Sequence, residues 1–417
     1  MKHRDLLEAM FKAAVDAADP MTGIKAHLPA KPRGKTVVIG AGKGAAQMAA
    51  AFETLWGEPV SGVVVTRYGY GCETRTIDIL EAAHPVPDAA GLEAGQRLRS
   101  EIAGLTEDDL VVALICGGGS ALLPAPPEGM TLADEIAVNE ALLASGAPIS
   151  AMNTVRKHLS TLKGGRLAAA TRAPVVSLIV SDIPGDNPAH VASGPTVPDP
   201  ATRHDALRVV AQYGLDLPPA ALDHLNSPAA DAPMPDDPVF ARDSHHIIAS
   251  AGVSLEAAAQ VAREAGFTPA ILSDAIEGEA REVAGVHAAI AREVLRRDRP
   301  FAKPAVLLSG GETTVTIRKK GGRGGRNGEF ALAFALGIEG ENIALLAADT
   351  DGIDGSEDNA GAFADGDTAA RMRTAGLDPR GLLDANDSYA GFKAAETLFE
   401  TGPTGTNVND FRAVVVG

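Results

Sequence analysis

Residues 35–56, KTVVIGAGKGAAQMAAAFETLW, decide the fold. Val37, Val38 and Ile39 form a short β-branched run with the composition of a buried strand. Gly40 to Gly44 turn the chain, and the alanine-rich stretch from Ala45 to Trp56 reads as a helix. Residues 61–71, SGVVVTRYGYG, follow as a second strand and complete a strand–helix–strand unit, the building block of parallel sheets. Gly40, Gly42 and Ala45 satisfy GxGxxA, the pattern of a Rossmann-like phosphate-binding turn. A dinucleotide would want an acidic ribose ligand at the end of the second strand. Thr66-Arg67 stand there instead, which suits a 2′-phosphate and keeps an NADP enzyme open. Against that, Lys43 lies inside the turn, where an ammonium would reach toward bound phosphates. The Walker A pattern fails, because Pro29 takes its first glycine position and Lys35 precedes a strand.

Farther along, LVVALIC (110–116) is long enough for a strand buried on both faces, and it ends in GGGS. Gly118 and Gly119 allow close backbone approach by a ligand, and Ser120 could bind an oxyanion. Leu122 stands where a hydrolase elbow needs glycine, so a serine nucleophile is discounted. In residues 153–168, NTVRKHLSTLKGGRLA, the basic positions Arg156, Lys157, Lys163 and Arg166 read as a solvated helix face, although Gly164-Gly165 is unusual there. PVVSLIV (174–180) is another buried strand, and the loop beyond it carries Asp182 and Asp186. Acids beyond the carboxyl end of a strand sit where a metal ligand or general base would.

The proline-rich residues 227–238, SPAADAPMPDDP, read as a linker, which predicts domains over 1–238 and 239–417. The amphipathic helix marked by Leu7, Met10, Phe11 and Ala14 is expected on the first domain. A new α/β series opens at His245. Residues 304–308 read as a strand that breaks at Ser309–Gly311 and delivers Glu312, and Thr313 to Ile317 read as another. The basic, glycine-rich loop 318–326 leads into a helix striped by Phe330, Phe334 and Ile338, which predicts an anion cradle with Arg323 and Arg326. Residues 343–349 form a further strand whose end bears Asp349, Asp351 and Asp354. Their spacing fails an EF-hand but suits Mg²⁺ holding phosphate oxygens. Asn407, Asn409 and Asp410 precede the last strand.

Composition narrows the function. The 417 residues carry a net charge of −17, which disfavours nucleic-acid binding and makes a local basic loop conspicuous. Cys72 and Cys116 cannot build a disulfide framework, no apolar run reaches the length of a membrane span, and the amino terminus does not read as a signal peptide. A cytoplasmic protein with no membrane or nucleic-acid partner is expected.

The blocks VVIGAGKGA, CGGGSALL, NTVRKHLSTLKGGRLA, SDIPGDNPAHVASGP, LLSGGETTVT, GGRGGRNGEFALAFA, AADTDGIDG and GPTGTNVNDF run in order from residue 37 to 410. Together they resemble the type II glycerate kinases, the glycerate 2-kinase family with a MOFRL C-terminal domain. The resemblance implies two α/β domains, the first Rossmann-like with a mainly parallel sheet, around an active site in the interdomain cleft. It implies Mg²⁺- and ATP-dependent phosphorylation of D-glycerate at its 2-hydroxyl, and a homodimer is compatible with it. Lys43, Asp186, Glu312, Arg326, Asp351 and Asn407 match the family's functional positions. On this reading Lys43 and the turn containing Gly40, Gly42 and Gly44 hold phosphate, while Asp351 and Glu312 hold Mg²⁺. Arg326 stabilises the transferring group, Asp186 takes the hydroxyl proton, and Arg156 or Lys157 pairs with the glycerate carboxylate. Relatives also carry the name hydroxypyruvate reductase, so an NADPH-dependent reductase is the alternative, and a non-catalytic glycerate-binding protein is the third.

Overall fold

A computed structural model describes residues 3–317, 321–355 and 357–417, apart from the side chain of Pro184. The chain forms two compact units, one of Pro20–Ile248 and one that joins the residues up to Asp19 to Ala249–Gly417. The α/β expectation holds in each.

The unit from Pro20 holds a six-stranded sheet of β1 (Thr36–Ala41), β2 (Ser61–Arg67), β3 (Ile77–Ala82), β4 (Leu110–Cys116), β5 (Val175–Val180) and β6 (Ser244–Ala249). Its order is β3-β2-β1-β4-β5-β6, and β3 through β5 are all parallel. β1 and β4 are buried along their whole length, which is why they read as unbroken apolar runs rather than alternating ones. Val37, Ile39, Val111, Ala113 and Ile115 pack on Ala94, Leu98 and Ile102 of the helix Ala89–Ile102. Val38, Val64, Val112 and Leu114 are equally buried on the other face. Successive strands run outward from β1 in one direction and from β4 in the other. The crossover therefore falls between β1 and β4, where open sheets of this order bind ligands beyond the strand ends.

The other unit is a mixed sheet, ordered β11-β10-β9-β12-β8-β7, of β7 (Thr268–Glu279), β8 (Ala305–Thr314), β9 (Ile343–Asp349), β10 (Gly361–Asp365), β11 (Leu398–Phe399) and β12 (Asp410–Val416). β7 and β8 are parallel, and the remaining pairs are antiparallel. Leu307, Leu345, Ala347 and Val414 face the helices Ala280–Arg297 and Arg326–Gly337. Val306, Leu308, Leu346 and Val415 face Leu255, Ala258 and Ala262 together with Leu7, Met10, Phe11 and Ala14 of the amino-terminal helix His3–Ala17.

That last contact corrects the sequence reading. The amino-terminal helix packs on the carboxy-terminal sheet, with Phe11 edge-on to Phe399 and Phe411 and the Ser254 hydroxyl donating to the Ala14 carbonyl. The proline-rich stretch is no seam either. Ala230 is buried, and the Arg166 guanidinium donates to the carbonyls of Ala230 and Asp231, which fastens the stretch to the first unit. The strand at His245 is β6 of the first sheet, so the division falls at Ile248/Ala249. The break expected at Ser309–Gly311 does not form, because β8 runs through it to Thr314.

Candidate active site

In the first unit Lys43 leaves the end of β1. Its turn is closed from within: Gly42 N–H donates to the Val65 carbonyl (3.1 Å), Lys43 N–H to the Gly117 carbonyl (2.8 Å) and Gly44 N–H to the Cys116 sulfur (3.2 Å). Gly42 is required because a Cβ there would lie 2.3 Å from the Cys116 Sγ, and its φ is 139°. Gly40 sits inside β1. The glycine pattern thus records tight packing of β1 on β4. The phosphate cradle expected of Gly40, Gly42 and Gly44 is not there, since the backbone donors of the turn are already bonded. Lys43 itself keeps its side chain free of any carboxylate among the described residues, and it lies over Gly118.

After β4, Gly118 adopts φ 81° and starts the short helix Gly119–Leu122. The Ser120 and Ser193 hydroxyls are 2.7 Å apart, and the Ser193 hydroxyl donates to Asn153 Oδ1 (3.1 Å). Arg156 donates to the same oxygen (3.2 Å) and to Asn139 Oδ1 (2.8 Å). The loop beyond β5 carries Asp186, Ala192 and Ser193 at φ of 50°, 52° and 61°. Such left-handed non-glycine residues store roughly 1–3 kcal/mol each and persist where the surroundings hold them, commonly at functional sites. Gly164 and Gly165 explain themselves here: their N–H groups donate to the carbonyls of Ser193 and Gly194 and brace the loop. Asp182 lies against Gly117, and Asp186 is partly exposed.

The basic run is not a solvated face. Lys157 and Lys163 are 1% and 2% exposed and pair with Asp199 (2.5 Å) and Glu135 (2.8 Å). His190 Nε2 shares the same Asp199 oxygen at 3.1 Å, and Asp199 Oδ1 accepts the Ala201 N–H. Burial alone would raise Asp199, but bonds from His190 and Lys157 hold it well below the usual carboxylate range. Burial lowers Lys157, and Asp199 draws it part of the way back. Lys157 is therefore spent inside the fold, whereas Arg156 bonds only to the amide oxygens of Asn139 and Asn153 among the described residues.

In the second unit Arg326 opens the helix Arg326–Gly337 and is gripped by three acids from three strands. Nε donates to Asp410 (2.6 Å), Nη1 to Glu312 (2.9 Å) and Nη2 to Asp349 (2.6 Å). Burial would lower Arg326, but Asp410, Asp349 and Glu312 raise it above its ordinary value. Asp410 also accepts from Thr313 and Arg412, and these partners overcome its burial and hold it low. Burial, partly offset by Arg326 and reinforced by Asp351 and Asp410, pushes Asp349 up to about 8. Asp351 accepts the Ile353 N–H (2.8 Å), and its carbonyl takes the Thr404 N–H. Asn407 accepts the Asn409 N–H (3.0 Å), and Thr350 donates to the Asn409 carbonyl. The structure thus brings Glu312, Arg326, Asp351 and the Asn407 turn together. Asp410 is a member the sequence reading left without a role, although it begins a strand beside flagged residues, and Asp349, expected as part of a carboxylate cluster for Mg²⁺, pairs with Arg326.

The second anion cradle is filled as well. The Asp354 carboxylate accepts the N–H groups of Asn327 (2.9 Å) and Gly328 (2.7 Å), capping the helix where a phosphate was expected. Burial, partly relieved by those donors, pushes Asp354 up to about 6. Arg323 is paired with Glu357 and stacked on Tyr389, while Arg318–Lys320 lie outside the described residues.

Among the described residues the four carboxyl groups of Asp349, Asp351, Asp410 and Glu312 stand against the two guanidinium groups of Arg326 and Arg412, so even with Asp349 protonated the cluster keeps a surplus negative charge, which suits a divalent cation. Among the described residues no three His, Cys, Asp or Glu side chains are placed to hold an ion unaided. Mg²⁺ is commonly held by one or two carboxylates and completed by phosphates and water, so the donor set fits that mode.

Residues 6–226 match the model described as a domain of unknown function, DUF4147, and residues 305–410 match the MOFRL family. A “Putative hydroxypyruvate reductase” of Agrobacterium vitis is 51% identical, over 99% of this chain and 94% of its own. A glycerate 2-kinase of Pyrococcus horikoshii is 41% identical, over 92% and 88% respectively. The crystal structure of a glycerate kinase from Thermotoga maritima superposes with a TM-score of 0.90 at 38% identity, covering 99% of each chain. With both family regions in order and relatives matched over nearly their whole length, the chain belongs to the glycerate kinase family.

Proposed function

We propose that the protein is a glycerate 2-kinase, transferring the γ-phosphoryl group of ATP to the 2-hydroxyl of D-glycerate to give 2-phosphoglycerate and ADP. The observation that carries the reading is the charged side-chain set. An uncommitted lysine stands at the crossover of one sheet, and an arginine is fixed among carboxylates in the other. Phosphoryl transfer needs positioning and charge neutralisation rather than covalent catalysis, and these groups supply both.

Lys43 binds phosphate oxygens. Arg326 has two N–H groups beyond its three carboxylate bonds, and these stabilise charge on the transferring group. Arg156 pairs with the glycerate carboxylate, and Ser120 holds an oxygen of substrate or nucleotide. Asp186 accepts the proton of the 2-hydroxyl as its oxygen bonds to phosphorus and the bond from phosphorus to the ADP oxygen breaks. Asp351 and Glu312 would hold Mg²⁺, which neutralises phosphate charge when bound. Asn407 orients this end of the site.

The reductase reading draws on the name of the more similar relatives. The turn at Gly40–Gly44 disfavours it, since its backbone donors are taken and cannot bind a pyrophosphate. Purified protein is to be assayed with D-glycerate and Mg²⁺-ATP, and in parallel with hydroxypyruvate and NADPH. Glycerate-dependent ADP release is the expected result. NADPH oxidation without ADP release would establish the reductase, and glycerate binding with neither reaction the non-catalytic binder. The two free thiols, Cys72 and Cys116, are in keeping with a reducing cytoplasm.

A further inference from the structure

Lys43 is not alone at the crossover. Gly118 is the point on which its neighbours converge: a Cβ added there would lie 2.9 Å from Lys43 Cγ, 3.1 Å from Lys43 Cε and 3.2 Å from His84 Nε2. His84 stands just beyond the end of β3, in the segment after Ala82. Arg67 ends β2, directly opposite Ala82 in the parallel register, and its guanidinium lies 3.6 Å from the ring centroid of Tyr70. The end of β2 is tied to the lysine turn, because the Thr66 hydroxyl donates to the Lys43 carbonyl (3.0 Å). The ends of four adjacent strands therefore gather a lysine, an arginine, an imidazole and a glycine with no side chain to obstruct them.

Neither Lys43 nor Arg67 has a carboxylate within ion-pair distance among the described residues, in a chain of net charge −17. Of the acids nearby, Asp182 lies against Gly117, and Glu81 and Asp88 are engaged elsewhere. Glu81 accepts the N–H groups of Gly69 and Gly71, and Asp88 accepts the Tyr68 hydroxyl and caps the helix Ala89–Ile102. The charges of Lys43 and Arg67 both act on His84, and an anion bound beside that imidazole would be attracted by both. Burial, then the charges of Lys43 and Arg67, hold His84 at about 4, so it offers a neutral imidazole that donates one hydrogen bond.

We infer that Arg67 and His84 complete, with Lys43 and Gly118, a binding subsite for a terminal oxyanion of one of the two substrates. The inference rests on the kinase reading for the identity of those substrates. A phosphate of ATP, the partner assigned to Lys43 above, and the carboxylate of glycerate share the oxyanion chemistry these groups bind, and the test separates the two. Arg67, which the sequence could assign only to a 2′-phosphate, thereby gains a partner set of its own.

The test compares Arg67→Gln, His84→Leu and His84→Gln with the wild type, the last keeping a donor near the Nε2 position. Each is measured for kcat, for KM of D-glycerate and for KM of ATP, with calorimetric titration of D-glycerate and of ADP alongside. Loss of one charge-assisted contact should raise one KM roughly 10- to 100-fold and leave the other unchanged. The KM that moves identifies the source of the oxyanion, and His84→Gln should recover most of the loss. Unchanged KM values in both arms would overturn the subsite, as would equal defects in His84→Leu and His84→Gln. If the wild type releases no glycerate-dependent ADP, the kinase reading fails separately. Calorimetry then decides, weakened binding of either titrant to Arg67→Gln supporting the subsite and unchanged binding to both refuting it.

Discussion

Asp199→Asn removes the charge that Lys157 depends on while keeping nearly the same shape. Lys157 is 1% exposed, so without its carboxylate partner it must stay charged and uncompensated or give up its proton. The second route sets a ceiling. From an ordinary value of 10.5, releasing the proton at pH 7 costs 3.5 pH units, or about 5 kcal/mol. At pH 9 the same step costs only about 2 kcal/mol. The sign follows from proton counts: the mutant's folded state binds fewer protons than its unfolded state below pH 10.5, so its stability rises with pH. Asp199→Asn should therefore lose about 3–5 kcal/mol relative to wild type at pH 7, and roughly half of that at pH 9. Adding Lys157→Met should restore much of the loss, since a buried ion pair replaced by apolar groups is often neutral. Urea denaturation at both pH values measures these differences. A loss that is the same at pH 7 and pH 9, or below about 1 kcal/mol at pH 7, would refute the buried charge pair.

Three further outcomes are expected. Lys43→Ala should lower kcat by orders of magnitude with the thermal midpoint within a few degrees of wild type; early unfolding would assign the lysine a structural role instead. Asp351→Asn should shift Mg²⁺ activation more than the KM for glycerate, and superimposable magnesium titrations would remove Asp351 from the metal site. His287 is held at about 4 chiefly by burial, against an ordinary 6.5, so the folded state binds fewer protons than the unfolded one between those values. Stability should fall as pH drops through 6.5 toward 4, by up to about 3 kcal/mol from this group, and His287→Gln should flatten that part of the pH profile.

The sequence carried the parts of the fold that are local. β1, its turn and the helix after it are adjacent in the chain, and so are the strand ending at Asp349 and the acids behind it. What stayed hidden depends on partners far along the chain. Lys157 and Lys163 read as surface charges because Asp199 lies 42 residues away and Glu135 lies 28 residues away. Arg326 could be singled out in the sequence, but its clamp could not, since Asp410 is 84 positions on. The amino-terminal helix finds its sheet through Ser254, 240 positions from Ala14, and no periodicity encodes that choice.

The two glycine-rich turns show why pattern alone misassigned the chemistry. Both were read as backbone cradles for an anion, and in each the N–H groups are satisfied from within, by Cys116 and Gly117 in one and by Asp354 in the other. A glycine turn that serves packing has the same sequence as one that serves a phosphate, because both need the chain to come close to something. The difference lies in whether that something belongs to the protein. With these backbone donors consumed, the proposed kinase site recognises its anions through side chains, among them Lys43, Arg156 and Arg326. A backbone cradle survives most side-chain substitutions, whereas a side-chain cradle loses about 1.5–3 kcal/mol with each charged donor removed. Single neutral replacements at these three positions should therefore each weaken substrate use severely. Retained activity in all three would mean that uncommitted backbone donors elsewhere hold the phosphates.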